Sequence, residues 1–357
     1  MILKTIKKIK WLIIPLALII LIRVWASNPL WVENYYSNGI YPLISRLQRI
    51  LFGWLPFSAG DLLYISGGFF VIFFLVKTFR RYRFSWKAFG VITKKFILVL
   101  VWLYIVFNLA WGLNYYRTGF QSQLHISPDQ YSADDLRNFV SALVPEINTA
   151  RTHITDNERK DSSYKKIFAG AVNCYDKAEP QFKFLTYSNK SIKPSMFNTM
   201  GNYLGFLGYY NPFSGEAQVN IKAPSFVLPF TACHEIGHQL GYGSESEASF
   251  AAYLASLSSE NNVFKYSAYF DLFLFANREL YMIDSGLAKQ NFRQLDTLVK
   301  ADIHAYRNYL EAYNNPVEPF ITDMYSSYLK ANNQPQGMES YDQVLAWVIA
   351  YRKKYAY

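Results

Sequence analysis

Cysteine is scarce in this chain, which has only Cys174 and Cys233 among its 357 residues. Two cysteines cannot build a disulfide framework, and their spacing matches neither a zinc ribbon nor a C-x-x-C redox pair. One disulfide could form in an oxidising compartment, but Cys233 directly precedes His234, in a segment with other chemistry. We therefore expect both thiols to be unpaired.

Acidic residues are nearly missing from the first quarter of the chain. Residues 1–95 contain 14 Lys/Arg but only 2 Asp/Glu, whereas residues 96–357 contain 22 Lys/Arg and 24 Asp/Glu. The net charge of +10 therefore comes from the front of the chain, and the rest has no basic excess with which to neutralise phosphates. This distribution excludes a nucleic-acid partner.

Long apolar runs occupy the same basic region. The chain is 51% hydrophobic and 18% aromatic, which is high for a wholly soluble protein, and the runs lie at about residues 11–27, 55–76 and 96–113. The second and third are long enough to cross a hydrocarbon core of about 30 Å as helices. The first is short for a span and could also be the apolar part of a signal peptide. We interpret residues 1–115 as a membrane part with three apolar helices, in contact with the lipid bilayer.

The basic residues indicate how this membrane part is oriented. Four of the first ten residues and seven of residues 77–95 are Lys or Arg, whereas the connection between the first two spans contains Arg46 and Arg49. The positive-inside rule then makes the N-terminus and the second connection cytoplasmic. Three crossings place residues 116–357 on the other side of the membrane, as an extracytoplasmic domain.

The pattern after residue 115 indicates an α+β domain that is mainly helical. An amphipathic helix is predicted over 132–151, with Ser132 and Asp135 spaced as a capping box. A second helix is predicted within 162–180, and the polar segment between the two helices, 155–163, reads as a solvated loop.

A small sheet is predicted next, because "FKFLTY" (182–187) and "AQVNI" (217–221) are strand-like. From about residue 245 the pattern is mostly helical to the end, with breaks near "NNPVEP" and "NNQPQG".

The segment "TACHEIGHQL" carries the chemistry. We expect a helix with Thr231 as N-cap and Gly241 as its C-terminal stop. His234 and His238 are four residues apart, so both imidazoles can face one metal ion. Glu235 lies about 100° around the helix, where a general base for a metal-bound water has to be. The pattern HExxH therefore predicts a zinc site.

The third ligand is expected from the acidic segment that follows. "HEIGHQLGYGS" resembles the metzincin pattern HExxHxxGxxH, but Ser244 replaces its last histidine and serine is a poor zinc ligand. The segment is also similar to the gluzincin arrangement, in which Glu245 would be the ligand, Ala248 the small residue and Ser249 would stand where an acid or amide is usual. Glu247 competes, but it would be the capping-box partner of Ser244 if that serine caps a second helix. We favour Glu245 over Glu247.

Other parts of such a site are less well defined by the sequence. Transition-state stabilisation would need a further donor, for which His304, Tyr209 and Tyr210 are candidates. The strand-like segment "GEAQVNI" (215–221) is a candidate for holding a substrate backbone by β-augmentation.

The chain resembles a family of bacterial membrane proteins catalogued as domain of unknown function 3810. The resemblance lies in the three apolar spans and in the segments "YNPFSGEAQVNI" (210–221), "PFTACHEIGHQLGYGSESEASFAAYLA" (229–255) and "YLKANNQPQGMESYDQVLAWVIAYRKKY" (328–355). The resemblance covers nearly the whole chain, and the family is regarded as metallopeptidase-like from its motif. It implies a Zn²⁺ metallopeptidase of the bacterial inner membrane, with a zincin-like domain that hydrolyses a peptide or protein substrate in the envelope.

Two other interpretations stay open. The protein could be a non-hydrolytic module, in which zinc stabilises a domain that binds or assembles envelope partners. It could also be a membrane protein without metal, in which the histidines only pack. A closed fourth coordination position would favour a structural zinc, because catalysis needs an open one.

Overall fold

The computed structural model describes residues 2–128, 131–155, 158, 163–337 and 343–355, with side chains from residue 13 onward. The first part of the chain forms five α-helices and two short helices of other types. They are α1 (Ile2–Ala26), α2 (Pro29–Trp31), a π-helix (Val32–Ile40), α3 (Tyr41–Phe52), α4 (Ala59–Tyr82), α5 (Trp86–Ala110) and a 3₁₀-helix (Gly112–Tyr116).

Helices α4 and α5 are long and apolar enough to cross a membrane. The segment Ile13–Ala26 of α1 meets the same criterion only together with Pro29–Phe52, and this pair is bent by 97°. The described residues thus offer two spans, or three if the bent pair counts as one. The helix limits differ from the apolar runs because Ser58 and Ser85 cap the helices, each accepting a backbone N–H with its hydroxyl.

The connection between the first two apolar runs is helical, which the sequence analysis did not predict. One face of α3 is exposed and apolar, and it contains Leu43, Leu47, Ile50 and Leu51. The opposite face is buried and contains Tyr41, Ser45 and Arg49. This amphipathic spacing is visible in the sequence. It lets α3 present one face to the rest of the protein and the other outward.

The second part of the chain is also mainly helical. Its helices are α6 (Phe120–Leu124), α7 (Ala133–Thr152), α8 (Tyr164–Ala178), a 3₁₀-helix (Lys183–Leu185), α9 (Asn198–Leu204), α10 (Leu228–Gln239), α11 (Glu245–Ser258), α12 (Asn262–Ile283), α13 (Ser285–Gln294), α14 (Thr297–Tyr313), α15 (Glu318–Ala331) and α16 (Val344–Tyr355). The capping box of Ser132 and Asp135 is confirmed at the start of α7. Most of the predicted loop 155–163 lies outside the described residues.

Three short strands form one sheet in the order β1-β3-β2, with β1 (Ile192–Pro194) parallel and β2 (Gly208–Asn211) antiparallel to the central β3 (Glu216–Val219). Ala217 of β3 lies opposite Ile192 on one side and Tyr210 on the other.

The strand predicted over "AQVNI" is confirmed in β3, but the one predicted over 182–187 is wrong. Phe182 and Leu185 are both buried, whereas Lys183 between them is exposed. A spacing of three buries both apolar side chains in a 3₁₀ turn, which a strand with its period of two would not do.

Two apolar cores hold the elements together. The larger core includes residues of α7, α8 and α10–α12. The smaller one joins Ile22, Val32 and Ile105 of the N-terminal helices, and Trp111 just after α5, to Tyr210 of β2. The predicted boundary near residue 115 stays a prediction, and the smaller core crosses it. Cys174 and Cys233 are both buried and free, as expected.

Candidate metal centre

The HExxH segment lies in α10, a helix in which every residue is buried. It begins four residues earlier than expected, with Val227 in the N-cap position, so the prediction of Thr231 as N-cap is wrong. Pro229 fits the first turn because no intrahelical donor is needed there. Thr231 lies inside the helix, and its hydroxyl donates to the carbonyl of Val227 at 3.0 Å. The predicted stop is confirmed, since the helix ends at Gln239 and Gly241 has a φ of +90°.

A close helix crossing determines which carboxylate reaches the histidines. A Cβ atom at Gly237 would lie 2.9 Å from the carbonyl oxygen of Ala248 in α11. Glycine and alanine therefore allow α10 and α11 to approach until their backbones nearly touch. Glu245, one turn before Ala248, is then brought to the face of α10 that carries the histidines.

Three potential ligand atoms meet at this crossing. Nε2 of His234 and Nε2 of His238 each lie 3.2 Å from Oε2 of Glu245. Within the described residues, these three side chains form the group whose ligand atoms all lie within 4.8 Å of one another. Two imidazoles and one carboxylate are a donor set that suits zinc.

The outer nitrogen of each histidine has a hydrogen-bonding partner. Nδ1 of His238 lies 2.8 Å from the carbonyl oxygen of Tyr242, and a carbonyl can only accept, so Nδ1 carries the hydrogen. Nδ1 of His234 lies 3.0 Å from Oγ of Ser249. Ser249 thus supports a histidine at the position where related motifs have an acid or amide. Both contacts direct Nε2 towards the cluster, as ligand histidines require.

The charges in the cluster depend on one another. Burial alone would raise the pKa of Glu245, but the two histidines hold it well below its ordinary value. Burial would lower the pKa of His238, but the Glu245 carboxylate raises it to about 9. The carboxylate thus favours a positive charge between itself and the imidazoles, which a proton or a divalent cation can supply.

Glu235 lies beside this cluster with an unsatisfied oxygen. Its Oε2 is buried and has no hydrogen-bond partner among the described residues. Burial raises its pKa to about 8. A Cβ atom at Gly208, the first residue of β2, would lie 2.5 Å from Oε1 of Glu235. Only glycine therefore lets β2 pass this closely over the carboxylate.

Glu247 points elsewhere. Ser244 does cap α11, since its Oγ accepts the N–H of Glu247 at 3.2 Å. The carboxylate of Glu247, however, accepts the N–H of Phe120 at 3.2 Å instead of completing a capping box. The structure thus places Glu245 next to His234 and His238, and Glu247 at the start of α6.

The other sequence candidates have different contacts. The hydroxyl of Tyr209 is hydrogen-bonded to Ser195 and Asp61, the hydroxyl of Tyr210 lies 3.3 Å from that of Tyr41, and His304 is exposed. The prediction of β-augmentation on 215–221 is wrong, because β3 is the central strand and is paired on both sides. The edge strand β2 lies beside Glu235 instead.

Sequence reasoning missed two aromatic residues. The hydroxyl of Tyr325 in α15 donates to Oε1 of Glu245 at 2.6 Å. Nε1 of Trp111, just after α5, donates to the carbonyl of His238 at 3.0 Å, and its ring meets the His238 ring edge-on. They are 80 and 127 residues away from these partners, so no local pattern could identify them.

Side chains of α3 contact the end of the histidine helix. The carbonyl of Gln239 accepts from the hydroxyl of Tyr41 at 2.8 Å, and from Oγ of Ser45 and Nη1 of Arg49 at 3.3 Å each. This carbonyl is among those that an α-helix leaves without a partner at its C-terminus. The N-terminal helices therefore cap the helix that carries the candidate ligands.

The fold and this cluster define a mainly helical protein that combines helices long enough to span a membrane with a buried His-His-Glu centre. The chain belongs to the family described as "Protein of unknown function (DUF3810)", whose model matches residues 36–349. No curated protein and no solved structure matches it.

Proposed function

We propose that this protein is a membrane-anchored zinc metallopeptidase in which Glu235 is the general base. The observation that carries the proposal is the buried, unpartnered Oε2 of Glu235 beside the His234–His238–Glu245 cluster. A buried carboxylate oxygen without a partner is costly, so its retention is best explained by a bound water or substrate.

The residues present fit a zinc ion. His234, His238 and Glu245 would hold it, and Tyr325, Ser249 and the carbonyl of Tyr242 would orient these ligands. Three protein ligands leave a fourth position open, which is the arrangement of catalytic and not of structural zinc. This favours the hydrolase over a zinc-stabilised binding module, for which Glu235 would have no role.

Zinc held there would supply a Lewis acid and an acidified water molecule. Oε2 of Glu235 takes the proton of the attacking water and then gives it to the nitrogen of the departing amine, as one carboxylate can do in general acid–base catalysis. The edge of β2 would hold the substrate backbone beside Glu235, and Gly208 leaves room for it.

Residues 1–115 anchor the protein in the bacterial inner membrane, and residues 116–357 form an extracytoplasmic domain that acts on peptides or proteins of the envelope. The basic residues near the predicted cytoplasmic ends support this orientation. The segment Pro29–Phe52, which includes α3 with its exposed apolar face, is bent 97° from Ile13–Ala26. This geometry fits a helix that lies along the bilayer surface.

Metal content and hydrolysis, both measured on the full-length protein purified in detergent, test this proposal. Wild type should contain one zinc, which His238→Ala should lose. Glu235→Gln should keep the zinc but cleave a peptide library at least 10²-fold more slowly, the lower end of a general base's contribution.

Glu247→Gln is the matched control, because this second buried glutamate contacts Phe120 and not the cluster. It should retain both zinc and cleavage. If Glu235→Gln cleaved as fast as wild type, the assigned base would be wrong. A folded wild type that takes up no zinc would exclude the metallopeptidase itself.

A further inference from the structure

One end of each of the two long apolar helices contacts the surroundings of the candidate centre. A short connection joins α4 to α5, so the two helices run antiparallel and the start of α4 lies at the same end as the end of α5. Trp111, the first residue after α5, donates to the carbonyl of His238. Asp61, in the first turn of α4, accepts from the hydroxyl of Tyr209 in β2, the strand that passes over the Glu235 carboxylate. The candidate centre therefore lies at this end of the two helices.

An exposed apolar surface begins beside the start of α4. The backbone N–H of Met196 donates to the carboxylate of Asp61 at 2.7 Å, and the Met196 side chain is exposed. Met200 and Tyr203 of α9 are also exposed, and their spacing of three residues puts them on one side of that helix. Because β2 follows α9 after a short connection, this surface adjoins the strand beside Glu235.

A second exposed apolar surface runs along α15 and reaches the end of α5. Phe320, Met324 and Tyr328 are exposed and recur every four residues, so they share a face. The ring centroid of Tyr328 lies 6.2 Å from that of Phe107, which is about one turn before the end of α5. Tyr325, the residue after Met324, donates to the carboxylate of the candidate centre. This surface therefore borders the centre on its other side.

The two surfaces meet where α9 ends and α15 begins, since Nδ2 of Asn315 donates to the carbonyl of Tyr203 at 2.7 Å. About half of the exposed large hydrophobic side chains described after residue 116 lie within 196–203 and 317–328. An exposed apolar concentration of this kind marks an interaction surface. We call the following six residues the apolar rim: Met196, Met200, Tyr203, Phe320, Met324 and Tyr328.

We propose that the apolar rim rests in the lipid surface at this end of α4 and α5, and that the candidate centre takes peptide segments held at the membrane surface. The rim begins at the first turn of α4 and ends at the last turns of α5, so a bilayer around these helices also reaches the rim. The rim has no charged side chain, and tyrosine is enriched at the boundary between membrane and water. The substrate class rests on the proposed peptidase function, whereas the contact with lipid does not.

A spin label measures whether the rim lies in lipid. Phe320 is 63% exposed, so a labelled Phe320→Cys should keep the fold, and the buried Cys174 and Cys233 should stay unlabelled. The full-length protein is reconstituted into vesicles of phosphatidylethanolamine and phosphatidylglycerol. The label should then collide severalfold more often with oxygen, which concentrates in lipid, than with a water-soluble nickel chelate.

Met282→Cys is the matched control, because Met282 is 83% exposed at the end of α12, two residues before the ion-paired Asp284. Its label should prefer the nickel chelate. An equal preference for the chelate at Phe320→Cys would overturn the lipid contact. So would spin–spin broadening at Phe320→Cys that disappears on dilution with unlabelled protein, because a second copy of the chain would then cover the rim.

Peptides of one sequence, either free or linked to a phospholipid, test the substrate class. The linked peptide has its scissile bond about five residues, or roughly 17 Å, from the lipid, so only a site close to the membrane surface reaches it. Zinc-loaded wild type in vesicles should cleave the linked peptide about tenfold faster, because enzyme and substrate are confined to one surface. Phe320→Asp should reduce this advantage severalfold, since a charge at the rim is unfavourable in lipid, and Met282→Asp should preserve it.

The outcomes separate the two proposals. Faster cleavage of the free peptide would exclude the substrate class and leave the peptidase standing. If neither peptide is cleaved while the label at Phe320→Cys prefers oxygen, the lipid contact stands and the peptidase fails.

Discussion

The helices that can span a membrane and the helix that carries the histidines are packed in opposite ways. In the most apolar 18 residues of α4 and of α5 only 6% of the residues are buried, whereas every residue of α10 is buried. The N-terminal region nevertheless buries polar side chains where it meets the second region. Tyr41, Ser45 and Arg49 contact the end of α10, so the N-terminal region supplies hydrogen bonds to the helix that carries the candidate ligands.

The contact between the two regions works in both directions. The carboxylate of Glu216 in β3 accepts the N–H groups of Ala59 and Gly60, so the sheet caps the start of α4. Arg117 donates to the carbonyl of Gly241 just beyond α10 and pairs with Glu33 of the π-helix. Each region thus supplies hydrogen-bonding partners to helix ends of the other.

The largest effect should follow from breaking the buried ion pair between the regions. Nη2 of Arg117 and Oε1 of Glu33 are 2.8 Å apart, with side chains only 2% and 3% exposed. Glu33→Ala leaves the Arg117 charge buried and unpaired. We therefore expect the free energy of unfolding to fall by about 3–5 kcal/mol. The unfolding midpoint of the detergent-solubilised protein measures it.

Asp134→Ala is the control for this variant. It removes an ion pair of similar length, 2.7 Å, in which Asp134 is 83% exposed. Its effect should stay below about 1 kcal/mol. Equal losses in the two variants would mean that the contact between the regions is unimportant.

An intermediate effect is expected within the second region, where Asp271 makes no contact with the described residues of the N-terminal region. Its pKa is raised from an ordinary 3.8 to about 7 by burial. Asp271 and Tyr306 are the two ionisable side chains that line a small cavity beside the first turns of α10. Because the pKa of Asp271 is higher in the folded than in the unfolded protein, its protonation contributes to the free energy of unfolding. This contribution is fully present below about pH 4 and is lost as the pH rises through 7.

Asp271→Asn stays neutral at every pH. It should therefore be more stable than wild type at pH 8, by roughly 1–3 kcal/mol after allowance for partial solvent access, and the difference should disappear near pH 4. Unfolding midpoints at both pH values measure it. A variant that is less stable at pH 8 would show that Asp271 has a structural partner.

The smallest effect concerns the hydrogen bond from Trp111 to the carbonyl of His238. Trp111→Phe keeps an aromatic ring but removes the hydrogen-bond donor. The proposed zinc binding should therefore lose about 1 kcal/mol of free energy, which is roughly a fivefold weaker affinity. Competition with a zinc chelator measures the affinity.

Trp54→Phe is the matched control, because Trp54 is 76% exposed. It should bind zinc like wild type. Unchanged zinc affinity in Trp111→Phe would mean that the N-terminal region does not contribute to the proposed zinc site.

Features that depend on neighbouring residues were predictable. The apolar runs gave α4 and α5, and the capping signals of Ser132 and Ser244 mark the starts of α7 and α11. The strand predicted over 182–187 was wrong, because the burial of Phe182 and Leu185 depends on the residues packed against them and not on their own β propensity. The helical connection in α3 was missed although its apolar spacing was readable.

The sequence by itself determined that His234 and His238 share a face, because an α-helix makes one turn every 3.6 residues and its hydrogen bonds join residues four apart without a distant partner. Only the tertiary structure decided that Glu245 and not Glu247 joins them. The two glutamates are two residues apart on one helix, so the choice depends on how α11 is rotated against α10 at the Gly237–Ala248 contact. The same holds for Trp111 and Tyr325, which reach the site because packing, and not chain proximity, brings distant segments together.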